Sequence, residues 1–181
     1  KLNPRINENP YLDNQLKQLE MQFNVTKQRL GNKFGTKKFI VYFQSFTNTY
    51  APISTLKALY EKALSFDNVI GLSIGTRTDC VTEEILDYLV DLSKTKEIWV
   101  EYGIQSFYDE TLVRVNRGDS VSNMKHWIKR TKEKGLNVCG HLIYGLPDET
   151  QEMMLETFRQ TVELNVDSIK FHPLYVVENT L

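Results

Sequence analysis

Cysteine is nearly absent from this chain of 181 residues: Cys80 and Cys139 are the only two. They stand far apart and in no metal-ligand spacing, which excludes a disulfide framework and a CxxC-type centre built from these residues. Both read as ordinary small buried or half-buried side chains. Histidine is almost as scarce, and His126, His141 and His172 are too scattered in sequence to read as a metal site, so no metal ligands are assigned. No apolar run approaches the roughly 18 residues that span a bilayer, and the N-terminus lacks the charged-then-apolar pattern of a secretory signal. The chain therefore reads as soluble and cytoplasmic, without a membrane partner. Net charge is also missing: 22 Lys and Arg against 23 Asp and Glu leave −1. With no block of like charge, no nucleic-acid face shows in the totals. Internal repeats, low-complexity tracts and Gly/Ser linkers are lacking, and at roughly 100–200 residues per domain the length predicts a single domain. The first residue is Lys1 rather than Met, and Asn179-Thr180-Leu181 follow an apolar stretch; both ends read as cut from something longer.

What is present is an alternation of apolar β-runs with helical patterns. The runs are Phe39–Phe43, Val69–Ile74, Ile98–Ile104, Val138–Ile143 and Ser168–Leu174. Starts about thirty residues apart fit βαβ units, and near-continuous apolar runs fit strands of a parallel sheet covered by helices. Pro52 predicts a helix start, with Ile53, Leu56, Leu59 and Ala63 at helical spacing. Thr82 caps the next, which carries Ile85, Leu86, Leu89 and Leu92. Met124, Trp127 and Ile128 lie on another that ends at Gly135. Asp148, three residues before Gln151, gives a capping-box-like start to a helix bearing Met154, Leu155, Phe158 and Val162. These stripes read as core. Tyr11–Leu30 is a charged helix with Leu12, Leu16, Leu19 and Phe23 on one side. Because it leads into a strand, the alternation begins in mid-unit, and a first strand with its following loop is expected upstream.

In a parallel α/β barrel the C-terminal strand ends face one mouth, where chemistry collects. Those ends here carry Gln44 to Tyr50 with Ser45, Thr47, Asn48 and Thr49; Gly75 to Asp79 with Arg77 and Asp79; Glu101, Gln105 and Ser106; His141 and Gly145-Leu146-Pro147; and Lys170 with His172-Pro173. Glu101 lies inside an apolar strand, where an ionised carboxylate is costly without a partner. Gln105 offers donor and acceptor together for a ribose hydroxyl. Arg117, in Val115-Asn116-Arg117-Gly118, can meet a carboxylate bidentately. Arg77 and Asp79 read either as a surface ion pair or, with His141, as substrate contacts. His126 reads as a solvent-facing helix residue.

Five motifs in order resemble a known family: Tyr42 to Pro52, Gly71 to Arg77, Val100-Glu101-Tyr102-Gly103-Ile104-Gln105-Ser106, Asn116-Arg117-Gly118, and His141 to Pro147. The chain is similar to radical S-adenosylmethionine (radical SAM) proteins, in the bacterial branch related to the Elongator catalytic subunit and to oxygen-independent coproporphyrinogen oxidase. The resemblance covers nearly the whole chain. It implies residues 1–181 as one α/β core domain, a partial (β/α)6 TIM-like barrel of parallel strands, open on one side and truncated at the N-terminus and at the C-terminus. It also implies S-adenosyl-L-methionine and a [4Fe-4S] cluster as cofactors, and a reductant such as flavodoxin or ferredoxin as partner. The expected activity is that of an iron–sulfur oxidoreductase, reductive cleavage of S-adenosylmethionine to a 5′-deoxyadenosyl radical that abstracts hydrogen from a substrate, with RNA as one candidate substrate.

Carried over by position, Ser45, Thr47, Asn48 and Thr49 would meet the methionine amino group, largely through backbone. Glu101 and Gln105 would hold the ribose and methionyl ends, and Arg117 the carboxylate. Ile143, Gly145, His172 and Leu174 would approach the adenine with backbone groups. The family's cysteine-rich loop belongs upstream of Lys1, and Cys80 and Cys139 cannot replace it; the chain by itself is expected to be inactive. Thr78 stands where relatives often have Pro, and Asp119 where they often have His. A second reading is a barrel that binds S-adenosylmethionine or RNA without radical chemistry. A third, an aldolase-type barrel, would rest on Lys170.

Overall fold

A computed structural model describes residues 11–178. The two ends read as cut, at Lys1 and at Asn179 to Leu181, lie outside the described residues. Helix α1 spans Leu12–Phe34 and leads into strand β1, Phe39–Phe43. Then follow α2 (Ile53–Leu64), β2 (Val69–Thr76), a single 3-10 turn (Thr78–Cys80), α3 (Glu83–Ser93), β3 (Glu97–Gln105), α4 (Asp109–Arg114), α5 (Val121–Glu133), β4 (Asn137–Tyr144), α6 (Gln151–Glu163) and β5 (Ser168–Pro173). All neighbouring strands are parallel, in the order β1-β2-β3-β4-β5. Sequential parallel strands with a helix in every connection form a curled half-barrel of the TIM-like kind.

The helix-facing side of the sheet makes the core. Leu72, Ile74, Ile98, Val100, Tyr102, Ile104, Val138 and Leu142 pack there against Leu56, Tyr60, Leu86, Leu89, Met124 and Ile128, all nearly or fully buried. At about 1.5–3 kcal/mol for each large apolar side chain, this face dominates the favourable side of folding. The opposite, concave face is different in kind. Tyr42, Ser73, Gly75, Glu101, Gly103, Cys139, His141 and Lys170 occupy the alternate positions. The strands thus alternate apolar-out and polar-in rather than running continuously apolar, because only one face is covered by helices. Among the described residues no helix is long and apolar enough to cross a membrane.

Register decides which concave-face residues meet. Gly75 pairs with Glu101, Glu101 with Cys139 and Cys139 with Ser168. One layer up, Gly103 pairs with His141 and His141 with Lys170. The β2–β3 register itself depends on Gly71, where an added Cβ would sit 2.1 Å from the Glu97 carbonyl oxygen.

Local starts follow the sequence with one correction. Thr82 accepts the Ile85 N–H as the cap of α3, as its position predicts. Helix α6 is capped by Thr150, which accepts from Met153 N–H, not by Asp148. Asp148 instead turns the chain in the left-handed region at φ 63°, and the extra turn moves the cap two residues on. Helix α4 and the 3-10 turn are too short to show a period in the sequence. No residue of α1 is fully buried; its Phe23 stacks on Phe66 at 4.5 Å and meets Phe39 edge-on.

Candidate functional site

At the C-terminal strand ends lies a cleft of about 340 Å³. Its walls include Tyr42, Gln44, Phe46, Thr47, Gly75, Thr76, Arg77, Gly103, Gln105, Arg117 and His141. The loop after β1 forms one wall because Asn48 ties it down. Its side-chain amide donates to the carbonyls of Phe43 and Gly75, both at 2.9 Å, and its backbone N–H also donates to Gly75 O. Thr49 is buried, bonded to Thr76 Oγ1 at 2.5 Å and to the Cys80 carbonyl at 2.7 Å. The side chains of Asn48 and Thr49 are therefore consumed in joining strand ends, while Thr47 faces the cleft and Ser45 is exposed. Phe46, at φ 66° and 98 % exposed, sits at the tip of this wall.

Opposite is Arg117, held by the loop after α4. Its Nη2 donates to the Gly103 carbonyl at 2.6 Å, and its Nε has no hydrogen-bond partner although the residue is buried. Burial, then the neighbouring Arg77, draws its pKa down. A buried guanidinium with an unused donor, lining a cleft, is suited to an anion. Gly103 leaves the space for it: a Cβ there would stand 3.1 Å from Nη2. Arg77 itself is spoken for, since its Nε and Nη2 donate to the two oxygens of Asp79 at 2.7 and 2.6 Å. The ion-pair reading of these two residues is the one their geometry supports. Thr78 donates to Asp119, which also accepts from the Ser120 N–H and the Asn123 amide. Thr78 and Asp119, singled out in the sequence, are thus bonded to one another. Gln105 lines the cleft from a β3 irregularity, with φ 69°, a local conformation that re-aims a side chain at a strand end.

Below the mouth, Glu101 is 6 % exposed and receives four donors. Tyr42 Oη (2.8 Å), His141 Nε2 (2.6 Å) and Lys170 Nζ (2.6 Å) converge on Oε2, and Ser73 Oγ donates to Oε1. Burial pushes this carboxyl up, but the donors outweigh it, Lys170 first, then Ser73, Tyr42 and His141, and hold it at about 2. Burial and the adjacent carboxylate raise the Tyr42 hydroxyl. Burial also lowers His141 despite Glu101, and facing an ionised carboxylate its Nε2 is placed to donate. His141 and His172, scattered in sequence, are side by side in space, with His172 Nε2 3.0 Å from His141 Nδ1. Cys139 completes a group with Glu101 and His141 whose ligand atoms lie within 4.8 Å of one another. The Lys170 ammonium on Glu101 opposes a cation there.

Of the remaining positions singled out from sequence, Ile143 is half-buried on β4. Gly145, at φ 89°, gives its N–H to Met154 Sδ at 3.2 Å. Leu174 donates its N–H to the Tyr144 carbonyl at 2.8 Å. His126 is exposed on α5. Tyr42 and Ser73 escape sequence reasoning as partners of Glu101. Strand alternation could have put them on its face, but only register brings them into reach.

The model of the Radical SAM superfamily matches residues 11–161. Among curated relatives, the uncharacterized protein YtqA of Bacillus subtilis is 36% identical over 170 residues, covering 94% of this chain and 53% of its own length. Protein YhcC of Escherichia coli is 40% identical over 146 residues, 80% of this chain and 47% of that protein. A tRNA uridine(34) acetyltransferase of Methanocaldococcus infernus is 32% identical over 114 residues, 61% and 21%. The chain thus spans about half the length of the first curated relatives it matches. Among solved structures, the archaeal Methanocaldococcus infernus Elp3 superposes with TM-score 0.73 at 25% identity, covering 90% of this chain and 43% of that one. Coproporphyrinogen III oxidase (HemN) of Escherichia coli, described as a radical SAM enzyme, superposes at 0.66 with 19% identity over 90% and 39%, a likeness of fold. With a family model matching most of its length, laid over a half-barrel of parallel strands, this chain belongs to the Radical SAM superfamily.

Proposed function

We propose that this chain is the cofactor-holding core domain of an enzyme that cleaves S-adenosylmethionine reductively and uses the product to abstract hydrogen from a substrate. The observation that carries the reading is Arg117, a buried guanidinium on the wall of the strand-end cleft with a donor still unused, which suits the cofactor's carboxylate. Gln105 would meet the ribose, and the loop Ser45 to Thr49 the amino group, through its backbone and Thr47. Ile143, Gly145, His172 and Leu174, at or just past the ends of β4 and β5, would approach the adenine with backbone groups. Bound there, S-adenosylmethionine with a reduced [4Fe-4S] cluster would supply the hydrogen-abstracting chemistry. The chain's own residues orient the cofactor, cover it and exclude water from it.

Cluster ligands would come from outside these residues. Cys80 lies in the turn after β2 and Cys139 is buried on β4, so the two are not the closely spaced set of thiolates that a cluster uses. The 181 residues alone are accordingly inactive in this reading, and a reductant such as flavodoxin or ferredoxin serves the complete protein. RNA is the substrate class to test first, on the strength of a relative named as a tRNA uridine acetyltransferase. The test is 5′-deoxyadenosine release by the full-length protein, reconstituted anaerobically with iron and sulfide and reduced with S-adenosylmethionine present. Release is expected; none from protein with a fully assembled cluster would overturn the reading and favour a binding module.

A further inference from the structure

The hydrogen bonds around Glu101 fix more than one proton. Ionised Glu101 can only accept, so His141 donates to it from Nε2, and in the neutral imidazole this leaves Nδ1 as an acceptor. His172 Nε2, 3.0 Å from that Nδ1, must then be the donor. The remaining lone pair of the chain is His172 Nδ1. The two rings are near coplanar, 22° apart with centroids at 5.1 Å, as an edge-to-edge bond between imidazoles requires. Burial falls along the series: Glu101 is buried, His141 is half-buried and His172 is exposed. A carboxylate that orients one imidazole, which orients another, is the arrangement by which a buried negative charge supports a base at a surface. The groups facing it from the other strands are Tyr42 on β1, Ser73 on β2, Cys139 on β4 and Lys170 on β5. Lys170 and Tyr42 are themselves paired with Glu101, so they fix its charge and leave His172 as the open end.

We propose that His172 is a general base at the barrel mouth, with His141 and Glu101 as its positioning residues. This rests on the reading of the mouth as a reaction site and adds a proton-transfer group to it. The substrate class is one carrying an acidic O–H or N–H. A proton leaves that group for His172 Nδ1, its bonding electron pair stays on the substrate oxygen or nitrogen, and the imidazolium formed returns the proton to water. No electron is transferred in the step.

The test needs neither cofactor nor substrate. In full-length protein with 15N-labelled histidine, nuclear magnetic resonance is expected to show the Nε2–H tautomer at both His141 and His172. An Nδ1–H tautomer at His172 would overturn the relay. The base is then probed near neutral pH with diethyl pyrocarbonate, which acylates unprotonated imidazole nitrogen, using exposed His126 as internal reference. His172 should react at least about tenfold faster than His126. Glu101→Gln, which keeps hydrogen-bonding capacity but removes the charge, should bring the two rates together. His141→Leu, which cuts the link without touching Glu101, should do the same and covers a failure of the first variant to fold. Equal rates in the wild type, or a fast His172 in both variants, would refute the proposal. 5′-Deoxyadenosine release by the same proteins reports separately on the radical reading.

Discussion

Replacing Glu101 by glutamine imitates its protonated state, and the structure sets the size of the effect. Folded, the carboxyl titrates at about 2 against an ordinary 4.5. That gap, at roughly 1.4 kcal/mol per pH unit, corresponds to about 3 kcal/mol. Lys170, a main contributor, keeps 41% of its side chain exposed, so solvent screening brings the expectation down to about 2 kcal/mol. Because the folded value is depressed, the stabilisation is fully present above the unfolded value and is lost as pH falls from about 4.5 through about 2. Urea unfolding at pH 7 should therefore show Glu101→Gln less stable by about 2 kcal/mol, with more than half of the difference gone by about pH 3. A variant as stable as the parent at neutral pH, or a difference that persists unchanged in acid, would refute the assignment of Glu101 as an ionised hub.

Other consequences follow from single contacts. Gly71→Ala drives a Cβ to 2.1 Å from the Glu97 carbonyl and must separate β2 from β3; a loss of about 3 kcal/mol or more is expected by chemical unfolding. Thr150→Ala removes the cap that receives Met153 N–H and should lower stability by about 1 kcal/mol, whereas Asp148→Ala should lack that capping loss. Replacing Cys80 and Cys139 together by serine should leave the iron content of the reconstituted full-length protein unchanged. A fall in iron would return the two cysteines to the ligand set.

The βα alternation was legible because each strand is apolar on its helix-facing side and each main helix shows a 3.6-residue stripe, as Ile85, Leu86 and Leu89 do on α3. The mouth was legible too, since strand ends are where such a sheet places loops. Three things were not. Tyr42, Ser73 and Lys170 meet on Glu101 only through inter-strand register, which no local pattern encodes. His141 and His172 are thirty-one positions apart and become neighbours because β4 and β5 pair. Asn48 and Thr49 have the polar chemistry of ligand residues, yet the fold uses their side chains to join β1 to β2. A polar group at a strand end serves scaffold or site, and the difference lies in whether a partner is already in reach.

Arg117 is the residue on which cofactor binding turns, and one comparison tests it: equilibrium binding of S-adenosylmethionine to the cluster-loaded full-length protein and to its Arg117→Met variant. Losing a charged hydrogen-bond partner of the carboxylate should weaken binding by roughly tenfold to a hundredfold. Undiminished affinity in the variant would contradict the claim that the strand-end cleft holds the cofactor through this arginine.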